Sequence, residues 1–401
     1  MSAATLVLTN ARLADGRSAD IHIVGDRIGT IEDAGAAVPA GAKSLDCANR
    51  LVTPSFVEGH IHLDKTLLGL PFVPHRAGDT VAARIEAEKA LRRELGSSVA
   101  ERGGALIEQI VRFGTGALRT HVDIDTEIKL DGLHAVLELK QRYAALVDIE
   151  IVAFPQSGIL RDPGTADLLD AALREGADLV GGLDPAGIDG DVAGHLDTVF
   201  GLAERHGAGV DIHLHDPGPL GAFELRDIAR RTVALGLNGR VVVSHAFALG
   251  AIDADEFGRT ADALADAGVA IMTNGPGDGP MPPVMRLAGA GVTVFAGSDN
   301  IRDAWSPFGD GDMLGRAAMI GYRQGFRADA DLQHAFAMAT TLPAAVLRLA
   351  DYGLSPDSRA DLVVLPANSV PEAVAGHPVP RTTVKRGRLV VQDGTMLGSA
   401  T

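Results

Sequence analysis

The 401-residue sequence predicts an α/β fold: a (β/α)8 barrel carrying a small β-sandwich built from both ends of the chain. Three observations lead there. Eight apolar, strand-like runs recur between about residues 57 and 350, with helical stretches between them. Residues 1–56 and 352–401 have another texture, short alternating segments broken by Gly and Asp turns. Histidines gather at the C-terminal ends of the runs, where a barrel carries its site.

Taken in order, "TLVLTNARLAD", "DIHIVGDRIGTIED" and "KSLDCANRLVTP" alternate without a helical period and read as strands of the small domain. The barrel runs are "LVTPSFVEGHIHL", "GALRTHVDI", "DIEIVAFPQSG", "ADLVGGLDP", "GVDIHLHD", "RVVVSHAF", "VAIMTNG" and "VTVFAGSDN". Segments rich in Ala, Leu, Glu and Arg, such as "TVAARIEAEKALRRELG" and "TADLLDAALREGA", supply the helices. A barrel over 57–351 follows. A doubly wound open sheet fits less well, since it normally has fewer units and a Gly-rich first turn. "ADLVVLPA" and "RTTVKRGRLVVQDG" then return to the β texture of the N-terminal segment.

A net charge of −16 argues against nucleic-acid or anionic-membrane partners, which need a basic face. Cys47 is the only cysteine, which excludes an intrachain disulfide and a Cys-rich zinc site. No apolar run approaches the ~20 residues of a membrane span, and "MSAATLVLTNARLADG" lacks the pattern of a signal peptide. The expectation is a cytoplasmic homo-oligomer.

Of thirteen histidines, six fall at strand ends: His60, His62, His121, His213, His215 and His245. Asp299 ends the eighth run. Strand periodicity puts His60 with His62, and His213 with His215, on one face. Imidazoles and a carboxylate converging at one mouth make a site for zinc or a similar first-row divalent ion. A single H-x-H could equally be structural, each ring bonded to a backbone carbonyl; six such histidines with an aspartate are harder to explain that way. His22, His75, His134, His195, His206, His334 and His377 lie outside the pattern and read as surface or structural.

"VEGHIHLDK", "DIHLHD", "VVSHA" and "GSDN" together resemble the amidohydrolase superfamily, within it the cytosine-deaminase-like branch. The likeness runs nearly end to end. "RTHVDID", "IVAFPQSGIL" and "PFGDGDM" are similar to the s-triazine aminohydrolases of that branch. The resemblance implies metal ligands His60, His62, His213 and Asp299, with His245 poised over a metal-bound water. It implies a metal-dependent hydrolase that removes ammonia or an alkylamine from a nitrogen heterocycle such as an N-alkylammelide. Cytosine or pyrimidine deamination is the alternative, and a non-catalytic metabolite-binding barrel the alternative of another class. Binuclear members bridge their metals with a strand-four lysine, but no lysine lies between Lys140 and Lys385, so one ion per chain is expected, Zn2+ first and Fe2+ second. Cytosine deaminases carry a glutamate three residues past the strand-five ligand; Asp216 stands there, one methylene shorter.

His245 is then expected to activate the water, because an imidazole has nearly the right pKa at neutral pH. His215 is expected in a supporting proton role, and Asp216 is a further candidate for the proton shuttle. Lys65, Gln156, Asp184, Asn300 and Trp305 are candidates to hold an azine ring, and Asp64 and Asp123 read as structural. The Gly/Pro-rich "GPGDGPMPP", 275–283, suits a loop over the site.

Overall fold

The computed structural model describes residues 5–75, 78, 80–277 and 279–398. Asp278 of the Gly/Pro-rich loop and the first four residues of the N-terminal stretch lie outside them. Eight parallel strands follow one another around a barrel in chain order: Phe56–Ile61, Thr115–Asp123, Asp148–Phe154, Leu179–Leu183, Gly209–Leu214, Val241–His245, Ala270–Thr273 and Val294–Ala296. Parallel neighbours need long crossovers, and helices supply them. Several of these begin as short polar side chains dictate: Ser98, Asp191 and Asp253 each accept a first-turn amide N–H, as Asp312 does for the helix after strand eight. Val, Ile and Leu on the outer strand faces pack under these helices in one continuous core.

The ends of the chain form a second, nine-stranded sheet with its own apolar core, including Leu8, Ile21, Ile23, Val52, Leu362 and Val384. Leu362–Leu365 runs antiparallel to Leu51–Pro54, which ties the C-terminal strands to the N-terminal ones. The run "LVTPSFVEGHIHL" is two strands: Leu51–Pro54 belongs to the small sheet and Phe56–Ile61 to the barrel. Ser55 is the joint, its N–H donating to Asp361 O. Two sheets thus meet a few residues upstream of the first histidine pair.

The barrel closes by a narrow seam. Strand eight is three residues long, and a single bridge, Ile61 with Asp299, links it to strand one.

Candidate metal centre and active site

The ends of strands one and five and the loop after strand eight bring His60, His62, His213 and Asp299 together. One ring nitrogen from each histidine and a carboxylate oxygen all lie within 4.8 Å of one another. The Nε2 atoms of His60 and His62 are 3.5 and 3.3 Å from Asp299 Oδ1. His60 Nε2, His62 Nδ1 and both nitrogens of His213 are buried without a hydrogen-bond partner. Orphaned buried imidazole nitrogens are costly unless something else binds them. Burial holds His62 down at about 4 and His213 well below the ordinary histidine value, so both rings are neutral and carry a lone pair. Burial alone would raise the Asp299 pKa, but His245, His60 and His62 outweigh it and keep the carboxylate ionised. Neutral imidazoles facing an ionised carboxylate are the protonation states a divalent ion requires, and the donor set fits zinc or iron(II).

The orientation of His60 is fixed from behind. Ser244 Oγ donates to Asp211 Oδ1 (2.8 Å), so the 2.9 Å contact between Ser244 Oγ and His60 Nδ1 is made by the imidazole N–H. His60 therefore presents Nε2 as its lone pair. Asp211 also accepts from Arg119 Nη1 (2.9 Å), which in turn donates through Nε to Glu150 (2.7 Å). Asn274 Nδ2 donates to Asp299 Oδ2 (2.8 Å). A second close group, His60, His121 and Asp211, lies deeper in the barrel. There the guanidinium of Arg119 already neutralises Asp211, which disfavours a second cation.

These outer partners were missed at the sequence level, although "DIHLH" carried a signal. Alternation places Asp211, His213 and His215 on one face, and "RTHVD" does the same for Arg119, His121 and Asp123. Ser244 was hidden by its neighbour. Strict alternation would send Ser244 and His245 to opposite faces, yet both reach the interior. His245 and Ala246 have φ of 73° and 45°, so the chain turns sharply at the strand end and re-aims the His245 ring. Left-handed backbone at non-glycine residues costs of order 1 kcal/mol each and clusters at functional sites.

The cluster opens into a cavity of about 1020 Å3, lined on its inner side by His62, His213, His215, His245 and Asp299, with Phe154, Phe247 and Trp305 among its walls. His215 and His245 stack at 4.5 Å between ring centroids. Asp184 accepts from the His215 backbone N–H and from its Nδ1 (2.9 Å), which leaves Nε2 of His215 for the cavity side. Burial opposes a charge on His215, but Asp184 overrides it and the pKa is raised. Burial, reinforced by the neighbouring His215, pushes His245 well below the usual value. Two stacked imidazoles are thus driven apart in proton affinity.

Among the other expected residues, Lys65, Gln156, Asn300 and Trp305 line the cavity. Lys65 Nζ donates to Gln156 Oε1 (2.6 Å) and lies 3.0 Å from Asp123 and 3.3 Å from Glu88. Those carboxylates outweigh burial and keep the lysine charged. Asn300 donates to Asp303 (2.7 Å), and Trp305 Nε1 donates to Glu88. Asp64 accepts the Asp123 backbone N–H (2.9 Å). Asp184 and Asp216 are not among the residues that line the cavity. The carboxylate of Asp184 is engaged by His215. Asp216 Oδ2 accepts from Gly187 N–H (3.0 Å), and its side chain bonds that of Glu224.

Known proteins share this fold. The family model described as "Amidohydrolase family" matches residues 100–391. The N-isopropylammelide isopropyl amidohydrolase of Pseudomonas sp. (strain ADP) is 35% identical over 395 residues, covering 97% of each chain. The crystal structure of N-isopropylammelide isopropylaminohydrolase from Burkholderia multivorans superposes with a TM-score of 0.95 at 42% identity, covering 99% of this chain and 100% of that one. 5-Methylcytosine deaminase from Klebsiella pneumoniae, liganded with 5-fluorocytosine, gives 0.85 at 29% identity over 96% and 97%. With the barrel, the histidine–aspartate cluster and full-length identity in agreement, the chain belongs to the amidohydrolase family.

Proposed function

We propose that this protein is a mononuclear metal-dependent aminohydrolase that removes an exocyclic amine from an N-alkylammelide or a closely related s-triazine. The observation that carries the reading is the convergence of three imidazoles and one ionised carboxylate, with buried ring nitrogens left unpartnered, at the floor of a roomy cavity. The likeness to two N-isopropylammelide hydrolases supports the choice of substrate. His60, His62, His213 and Asp299 would hold one zinc or iron(II). An ion held there would supply Lewis acidity and make water a nucleophile near neutral pH.

The remaining chemistry falls to the chain. His245, neutral at pH 7 because it is buried beside His215, accepts the proton of the attacking water. His215, its Nδ1–H anchored on Asp184, delivers a proton from Nε2 to the departing nitrogen. Two imidazoles whose environments separate their pKa values can divide base and acid roles. Gln156, its Oε1 held by Lys65 Nζ, offers its amide N–H to a ring oxygen, Lys65 sets a positive charge beside it, and Trp305 offers a flat face to the azine. Asp216 stands off the cavity, so the carboxylate shuttle of the cytosine-deaminase pattern lacks a counterpart there, and cytosine is expected to be a poor substrate.

Metal analysis of the purified protein, combined with a panel of azines assayed separately for ammonia and alkylamine, tests the reading. Alkylamine release that requires about one metal per chain supports it; cytosine turned over faster than every triazine would replace it.

A further inference from the structure

His60 lies on strand one and Asp299 just past the end of strand eight, the two strands that meet at the barrel seam, where the ladder is reduced to one bridge. Packing across this seam is tight. A Cβ on Gly59 would lie 2.5 Å from the Phe295 ring, and one on Gly297 would lie 2.6 Å from His60 Cβ. Such close approach leaves no room for side chains between the strands. Only Asp299 N–H to His60 O (2.8 Å) and Gly297 N–H to Thr273 O (3.3 Å) tie the backbone of the loop 297–300 to the backbones of strands one and seven among the described residues, and Asp299 reaches the histidines from that loop.

Two ionisable side chains, the buried Glu58 and the half-buried Arg316 on the cavity side, occupy the needed positions. Glu58 Oε1 accepts from both Ser298 N–H (2.8 Å) and His60 N–H (3.1 Å), joining strand eight to strand one. On the other side, Arg316 donates from Nη2 to Ser298 O (3.0 Å) and from Nη1 to Asn274 O (2.7 Å), joining strand eight to strand seven. Asn274 is also the residue whose amide holds Asp299 Oδ2 (2.8 Å). Arg316 projects from the helix Met313–Gln324, whose N-cap Asp312 is gripped by both terminal nitrogens of the fully buried Arg381 from the small sheet (2.7 and 2.8 Å). One guanidinium thus grips the residues on either side of the metal-binding carboxylate.

We propose that Arg316 is a positioning residue for Asp299: by stapling the carbonyls of Asn274 and Ser298 it prolongs the strand seven–strand eight pairing, which ends at Thr273–Ala296, into the loop that carries the carboxylate, while Glu58 spans the thin seam to strand one. The inference rests on the metal-site reading above. A guanidinium is suited to this task because its fork bonds two acceptors at once, whereas an ammonium is a point donor. Losing a group that orients a metal ligand typically weakens metal binding about 10–100-fold.

The test is a zinc titration against a competing chelator, made on the full chain after circular dichroism has shown it folded. Arg316→Met is expected to bind zinc about 10–100-fold more weakly than the native protein, and excess zinc is expected to restore most of kcat with KM unchanged. Arg316→Lys, which can satisfy one carbonyl at a time, is expected to fall between the two, and it decides the question if the methionine variant does not fold. Zinc affinity within twofold of native in a folded variant overturns the proposal. So does a tenfold rise in KM at unchanged zinc affinity, which would make Arg316 a substrate contact. Failure of the native protein itself to bind zinc or iron(II) would instead remove the metal-site reading.

Discussion

Ser244→Ala removes one hydroxyl from the interior and tests how His60 is held. The Ser244, Asp211 and His60 side chains are all fully buried, so no solvent replaces the lost group. Two hydrogen bonds disappear, the 2.9 Å contact from His60 Nδ1–H and the 2.8 Å donation to Asp211 Oδ1. Asp211 keeps Arg119 at 2.9 Å on its other oxygen, so its charge remains compensated. The Nδ1–H of His60 has no such reserve. Leaving a buried donor unpaired costs about 1–3 kcal/mol, and the ring also loses the bond that selects Nε2 as the lone pair. Metal affinity should fall about 10–100-fold, equivalent to about 1.4–2.7 kcal/mol. Chelator competition measures the affinity, and urea denaturation of the metal-free protein measures the structural cost. A folded Ser244→Ala variant that binds metal within twofold of native would refute the relay as the determinant of His60 orientation.

Three further outcomes follow from the site. His245→Ala should lose at least about 100-fold in kcat, the lower range for general acid–base catalysis, while keeping its metal; Asp216→Asn, off the cavity, should lose less than about tenfold in the same assay. Asp184→Asn removes the charge that raises the His215 pKa, so the alkaline limb of the pH–rate profile should move to lower pH; an unmoved limb would exclude His215 as the acid. Burial, with the neighbouring Asp216, pushes the Glu224 carboxyl up to about 8. Over the interval from about 4.5 to about 8 the folded state therefore holds a proton that the unfolded state has released, and native stability falls as pH rises. Glu224→Gln mimics the protonated acid, so its melting temperature relative to native should climb between pH 5 and pH 9, and a constant difference would contradict the assignment.

The barrel was legible because its code is repetitive: each apolar run is followed by a helical period, and eight such units leave few alternatives. His60, His62, His213 and Asp299 stood out because scarce polar residues recurred at the ends of otherwise apolar runs. The division of "LVTPSFVEGHIHL" between two sheets was less legible, since both pieces are apolar and only the pairing partners, Leu362–Leu365 on one side and Thr115–Asp123 on the other, separate them. Asp184 shows another limit. Its position at a strand end marked it as a ring-holding candidate, but the hydrogen bonds of its carboxylate to the His215 backbone N–H and Nδ1 could not be read from the separate runs that carry the two residues. Arg316 carried no local signal at all: its role depends on two carbonyls 42 and 18 residues away.

The central claim is that the His60, His62, His213 and Asp299 cluster holds one ion that serves amine removal from a triazine. Stripping the protein with a chelator, then adding zinc or iron(II) back stepwise while following isopropylamine release from N-isopropylammelide, tests it most directly. The account predicts no release from the stripped protein and a linear rise in rate that levels at one ion per chain. A rate that climbs to two ions per chain, or release that survives complete removal of metal, would contradict it.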